Sequence, residues 1–104
     1  MVDEKRQGSR SFAITEVTFE HKGMRYHGRI NDMSQGGLYI DTINPLPEGS
    51  DVTFQFGLPG DESGLPISGE GRVVWTIYMQ GMGIRFTRLP DKDQERLKAY
   101  LSRK

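Results

Sequence analysis

The chain has 104 residues, no cysteine, and fourteen basic side chains that balance fourteen acidic ones to a formal net charge of zero. That length suits one domain burying about 65% of the surface its unfolded form exposes, and 35% apolar with 27% charged residues fits a globular fold rather than wholesale disorder. The charge balance disfavours a grip on long nucleic acid, the missing cysteines remove disulfides and thiolate metal sites, and no apolar run nears the roughly 20 residues of a bilayer span.

Residues 1–10, MVDEKRQGSR, are polar and unpatterned and read as a flexible N-terminal arm. They contain no apolar signal segment, so a cytoplasmic location is expected. Residues 11–104 read as the single folded domain. Phe12, Ile14, Val17 and Phe19 follow period-two spacing with one slip after Ile14, which predicts a first strand with a bulge. His21-Lys22-Gly23 is a hairpin turn, and Met24, Tyr26, Gly28 and Ile30 alternate along the returning strand.

The stretch DMSQGG, Asp32 to Gly37, interrupts this alternation. Leu38-Tyr39-Ile40 is a short third strand, closed by the turn-rich Asn44 to Gly49. Val52, Phe54, Phe56 and Leu58 mark a fourth strand, and Pro59 to Gly64 a loop. A long fifth strand from Ile67 to Tyr78 puts Val73, Trp75 and Ile77 on one face by simple alternation, and Met82, Ile84 and Phe86 mark a sixth. Asp91 and Gln94 have capping-box spacing, and Leu97, Tyr100 and Leu101 continue at helical intervals. The expected fold is all-β, a six-stranded antiparallel β-barrel with a C-terminal α-helix.

Catalysis finds little support, because no nucleophile stands near a base and the two histidines, His21 and His27, lack a further metal ligand nearby in sequence. Binding suits the chemistry better. The Asp32 carboxylate offers two adjacent acceptors that match the ring N–H and exocyclic amine of guanine, and the Ser34 hydroxyl can add a bond. Gly36 and Gly37 would let a flat ligand approach the backbone, although such a stretch also reads as an ordinary turn. Arg6 and Arg10, spaced RxxxR on the arm, carry guanidinium forks suited to phosphate or to a guanine edge. Arg29, Arg72 and Arg85 lie on strands, as a positive rim or as solvated surface. Trp75 is either a stacking platform or a core residue beside Val73 and Ile77.

In order, RxxxR, DxSxxG, a strand ending Gly71-Arg72-Val73-Val74-Trp75, the strand Gly-Met-Gly-Ile-Arg-Phe and a terminal helix resemble the PilZ domain family over nearly the whole chain. The resemblance implies a PilZ-type barrel that acts as a receptor for the bacterial second messenger cyclic di-GMP, with no enzymatic activity and no cofactor. Carried over residue by residue, it implies that Arg6 and Arg10 hold phosphate and guanine, and that Asp32, Ser34 and Gly37 contact guanine. Lys5 stands where a neighbour of the first arginine influences whether one nucleotide or a stacked pair is bound, and Trp75 matches a stacking tryptophan of some relatives. Gly36 falls inside the second motif. The expected mechanism is a stand-alone receptor whose arm folds over the ligand and creates a surface for an unidentified downstream protein in motility or biofilm regulation. Its rival is a protein–protein adaptor that keeps the barrel without using the nucleotide. A small RNA-binding barrel is disfavoured by the zero net charge.

Overall fold

Alternation of apolar and polar side chains dominates the architecture. In the computed structural model, which describes residues 15–61 and 63–102, six strands precede one helix: β1 Thr15–His21, β2 Met24–Met33, β3 Gly37–Asp41, β4 Asp51–Phe56, β5 Ile67–Ile77, β6 Gly81–Arg88 and α1 Asp91–Ser102. All neighbouring strands are antiparallel and close a barrel in the order β1-β2-β3-β6-β5-β4. Val17 and Phe19 of β1, Leu38 and Ile40 of β3, Val52, Phe54 and Phe56 of β4, and Met82 and Ile84 of β6 point inward and form the core. Lys5, Arg6, Arg10, Phe12 and Ile14 lie outside the described residues, and with them the expected arm and the slip after Ile14.

The β1–β2 hairpin turns at Lys22 and Gly23, whose φ angles of 52° and 81° give the doubly left-handed turn that matches strand twist. Two register shifts matter for the surface. One lies between Ile30 and Asp32 on β2 and the other between Val73 and Trp75 on β5, where an extra residue lets the chain change the face it presents.

The helix begins differently from the sequence reading. Pro90 supplies the first helical carbonyl, accepting the Gln94 N–H at 2.9 Å, so Asp91 already sits inside the first turn. A capping box cannot form on Pro90, because it requires an N–H that proline lacks. The Gln94 side chain instead donates to Leu89 O at 2.7 Å. Asp93 accepts the Ser68 N–H at 3.2 Å, and Leu97 packs into the core with Tyr100 and Leu101 partly buried behind it. Arg96 reaches the loop between β4 and β5, donating to Asp61 and to Leu65 O. The Asp61 carboxyl is held below the usual carboxylate range, first by the Ser63 N–H and then by the Arg96 guanidinium.

Candidate functional site

The β2 shift carries Asp32 onto the outer face of the barrel opposite Tyr39 of β3, which is opposite Gly83 of β6, which is opposite Trp75 of β5. These four residues form a row across four adjacent strands, about 14 Å from end to end at ordinary strand spacing. The row points outward because its neighbours Leu38, Met82, Ile84 and Val73 point inward. The β5 shift decides the case of Trp75. Val73 is 1% exposed, whereas Trp75 is 39% and Ile77 43% exposed, so the extra residue breaks the simple alternation and places the indole on the surface instead of in the core.

Asp32 and Met33 still belong to β2, and Gly37 already to β3, so the turn itself is only Ser34-Gln35-Gly36. The Ser34 N–H donates to Gly37 O at 2.9 Å, the Ser34 hydroxyl accepts the Gly36 N–H at 3.2 Å, and the Phe86 N–H of β6 donates to Gly36 O at 2.9 Å. These bonds fix the turn against β6 and use the Gly36 amide internally rather than offering it to a ligand. The Ser34 hydroxyl proton faces Gly37 O only at 3.5 Å and so remains available to a ligand acceptor. One Asp32 carboxylate oxygen, Oδ1, accepts the Met33 N–H at 2.9 Å; Oδ2 makes no hydrogen bond among the described residues.

Neither Gly36 nor Gly37 has a positive φ, so conformational freedom is not their reason. A Cβ on Gly37 would collide with the carbonyl of Ile84, since β3 and β6 run close at that point, whereas a Cβ on Gly36 would meet nothing nearer than Ser34 Oγ at 4.0 Å. Gly37 is therefore demanded by strand packing.

Asp32, Ser34, Gly36, Gly37 and Trp75 all line one open cleft of about 310 Å³, together with Tyr39, Val74 and Arg85. Of the three rim arginines, only Arg85 belongs to it. Arg72 pairs with Asp51 at 3.0 Å, and Arg29 lies opposite Asp41 on the β2–β3 ladder. A larger cleft of about 510 Å³ lies elsewhere on the barrel, and its walls include this Arg72–Asp51 pair with Glu20, Lys22 and Glu70. Of the described residues predicted to contact the nucleotide, Asp32, Ser34, Gly36, Gly37 and Trp75, none lines it. Mixed and mutually compensating charge gives that cleft no clear ligand preference. Sequence reasoning passed over Tyr39 as a site residue, although its place between the inward Leu38 and Ile40 is the signal that puts it outside.

The PilZ domain profile matches residues 4–103. The chain belongs to the PilZ domain family. Similar solved structures include the Bacillus subtilis inhibitor of motility MotI/DgrA, with TM-score 0.75 and 18% identity over 97% of this chain and 52% of that one. Borreliella burgdorferi PlzA, solved in complex with c-di-GMP, aligns with TM-score 0.63 and 20% identity over 82% of this chain and 31% of its own. The PilZ domain of CeSA from a cellulose-synthesizing bacterium aligns with TM-score 0.61 and 19% identity, covering 86% and 92%. At these identities the likeness establishes a shared fold. This chain spans about half of MotI and about a third of PlzA. No curated protein matches the sequence. Within the described part of this PilZ chain, no helix is long and apolar enough to cross a membrane.

Proposed function

We propose that this PilZ chain is a receptor for cyclic di-GMP, with binding rather than catalysis as its role. The observation that supports it most is the outward row Asp32, Tyr39, Gly83 and Trp75, joined in one cleft by Ser34 and Arg85. Asp32 would accept the two adjacent donors of a guanine edge, Ser34 would donate to a ring or phosphate acceptor, and Trp75 would stack on a purine for about 1 to 3 kcal/mol. Gly37, and with less direct involvement Gly36, would shape the backbone wall behind the base.

Phosphate chemistry falls to the arm. Thr15 pairs with Ile30, two positions before Asp32, and Arg10 lies five residues upstream of Thr15, at most about 18 Å of extended chain. That reach takes Arg10 over the Asp32 end of the row, and Arg6, four residues further out with Lys5 beside it, has the chain length to close over a nucleotide seated there. Ordering the arm costs about 1 to 2 kcal/mol per residue, which charge-assisted bonds to two phosphates must exceed. High local concentration of the arm makes that second contact favourable once guanine is held. The closed arm would then present a new surface to a downstream protein. The bound c-di-GMP of PlzA, a structure with the same barrel, supports the choice of ligand class.

Trp75 is the sole tryptophan and lines the cleft, so its emission reports directly on stacking. Cyclic di-GMP is expected to quench it saturably, and GMP, which engages only half of the clamp, to need about 100-fold higher concentration. Equal potency of GMP or GTP would refute specificity for the cyclic dinucleotide.

A further inference from the structure

We propose that Tyr39 is a positioning residue that braces the Trp75 indole over β6 and so presets the surface on which a purine stacks. The outer face of β6 is bare at alternate positions, Gly81 and Gly83, because Met82 and Ile84 point into the core. Aromatic rings from the two flanking strands cover these gaps. Tyr39 leans in from β3 over Gly81, where a Cβ would come within 2.9 Å of its Cε1 and 3.2 Å of its hydroxyl. Trp75 leans in from β5 over Gly83, whose missing side chain leaves room for the pyrrole edge of the indole. The two rings meet above β6 with centroids 5.1 Å apart and planes inclined by 37°.

Each ring thereby limits the rotamers of the other. A surface tryptophan without such a neighbour is free to swing between staggered wells, and a swinging indole presents its stacking face for only part of the time. Tyr39 also stands directly between the Asp32 carboxylate and the indole in the cross-strand row, so it sets the spacing between base-edge recognition and stacking. Its ring does this work, and its hydroxyl is dispensable to it. Nothing in the family motifs carried onto this chain assigns a role to this position.

The binding half of the inference rests on the receptor reading, but the brace can be tested without ligand. Tyr39→Leu and, as a β-branched residue suited to a strand, Tyr39→Val should both leave Trp75 more accessible to acrylamide and lower its fluorescence anisotropy in the ligand-free protein. Tyr39→Phe should match the wild type. Cyclic di-GMP affinity should fall about 5-fold in the Leu and Val variants, within the 2- to 12-fold that the coupling of an aromatic pair represents, and recover in Tyr39→Phe. Unchanged acrylamide quenching and anisotropy in folded Leu or Val variants would overturn the brace. A loosened indole with unchanged affinity would overturn its role in positioning. Wild-type protein that binds no cyclic di-GMP would refute the receptor reading, and the ligand-free fluorescence would still decide whether Tyr39 holds the indole.

Discussion

Gly37→Ala is expected to lower the unfolding midpoint by about 10 °C or more, while Gly36→Ala leaves it nearly unchanged. The two glycines are adjacent in one motif, but only Gly37 lies where β3 and β6 approach so closely that a Cβ meets the Ile84 carbonyl. A backbone oxygen cannot rotate away as a side chain can, so the ladder itself must shift. Overpacking of that kind costs about 3 kcal/mol, and each kcal/mol moves the midpoint of a domain this size by about 4 to 8 °C. Gly36 has open space, and its alanine variant should stay within about 0.5 kcal/mol of wild type. Thermal unfolding followed by circular dichroism compares them directly. A consequence for the site follows: lost ligand binding in a Gly37 variant would report a damaged barrel as readily as a missing contact, so Gly37 is a poor probe of recognition.

Asp32→Ala is the better probe, and it is expected to weaken cyclic di-GMP by about 10- to 100-fold in a Trp75 fluorescence titration while the protein remains folded. The carboxylate is exposed, and its one hydrogen bond among the described residues is to the neighbouring Met33 N–H, so its removal leaves the barrel intact. The loss in binding is larger than the loss in stability because two guanine donors would be left without acceptors against the cleft wall. A hydrogen bond to a charged group contributes about 1.5 to 3 kcal/mol, which corresponds to the stated range. Asp32→Asn should fall between, since one amide oxygen can still accept while the amide nitrogen opposes a donor. A wild-type affinity in folded Asp32→Ala would remove this residue from the proposed site.

Most of the barrel could be read from period-two spacing, since a strand with one wet face writes its fold in its alternation. Val17 and Phe19, Val52 and Phe54, and Met82 and Ile84 all face inward as that spacing predicts. Trp75 shows the limit of the method. A single extra residue between Val73 and Trp75 inverts the faces of everything after it, and no residue type in Val-Val-Trp-Thr announces the shift. Reading straight through it joins Trp75 to Val73 on one face, whereas the barrel separates them. The helix start failed for a different reason: Asp91 and Gln94 have the spacing of a capping box, but Pro90 takes the cap position and has no N–H to complete it.

The candidate site was legible in part because DMSQGG sets the Asp32 carboxylate and the Ser34 hydroxyl two positions apart, followed by two glycines. What the linear order hid was the company those residues keep. Tyr39, Gly83 and Arg85 join Asp32 only through strand register, which depends on turn lengths and bulges far from the motif. Gly37 was legible as a motif position, yet the cause of its smallness is a carbonyl from a strand almost fifty residues away.

In the proposed receptor, the cleft on β2, β3, β6 and β5 and the arm bearing Arg6 and Arg10 bind cyclic di-GMP together. Calorimetric titration of cyclic di-GMP into the wild type and into folded Arg6→Ala and Arg10→Ala variants, at near-physiological salt, tests this joint binding most directly. Saturable binding in the micromolar range or tighter, lost in both variants, is the predicted result. No heat of binding in the wild type would contradict the account and leave the barrel as an adaptor that does not use the nucleotide.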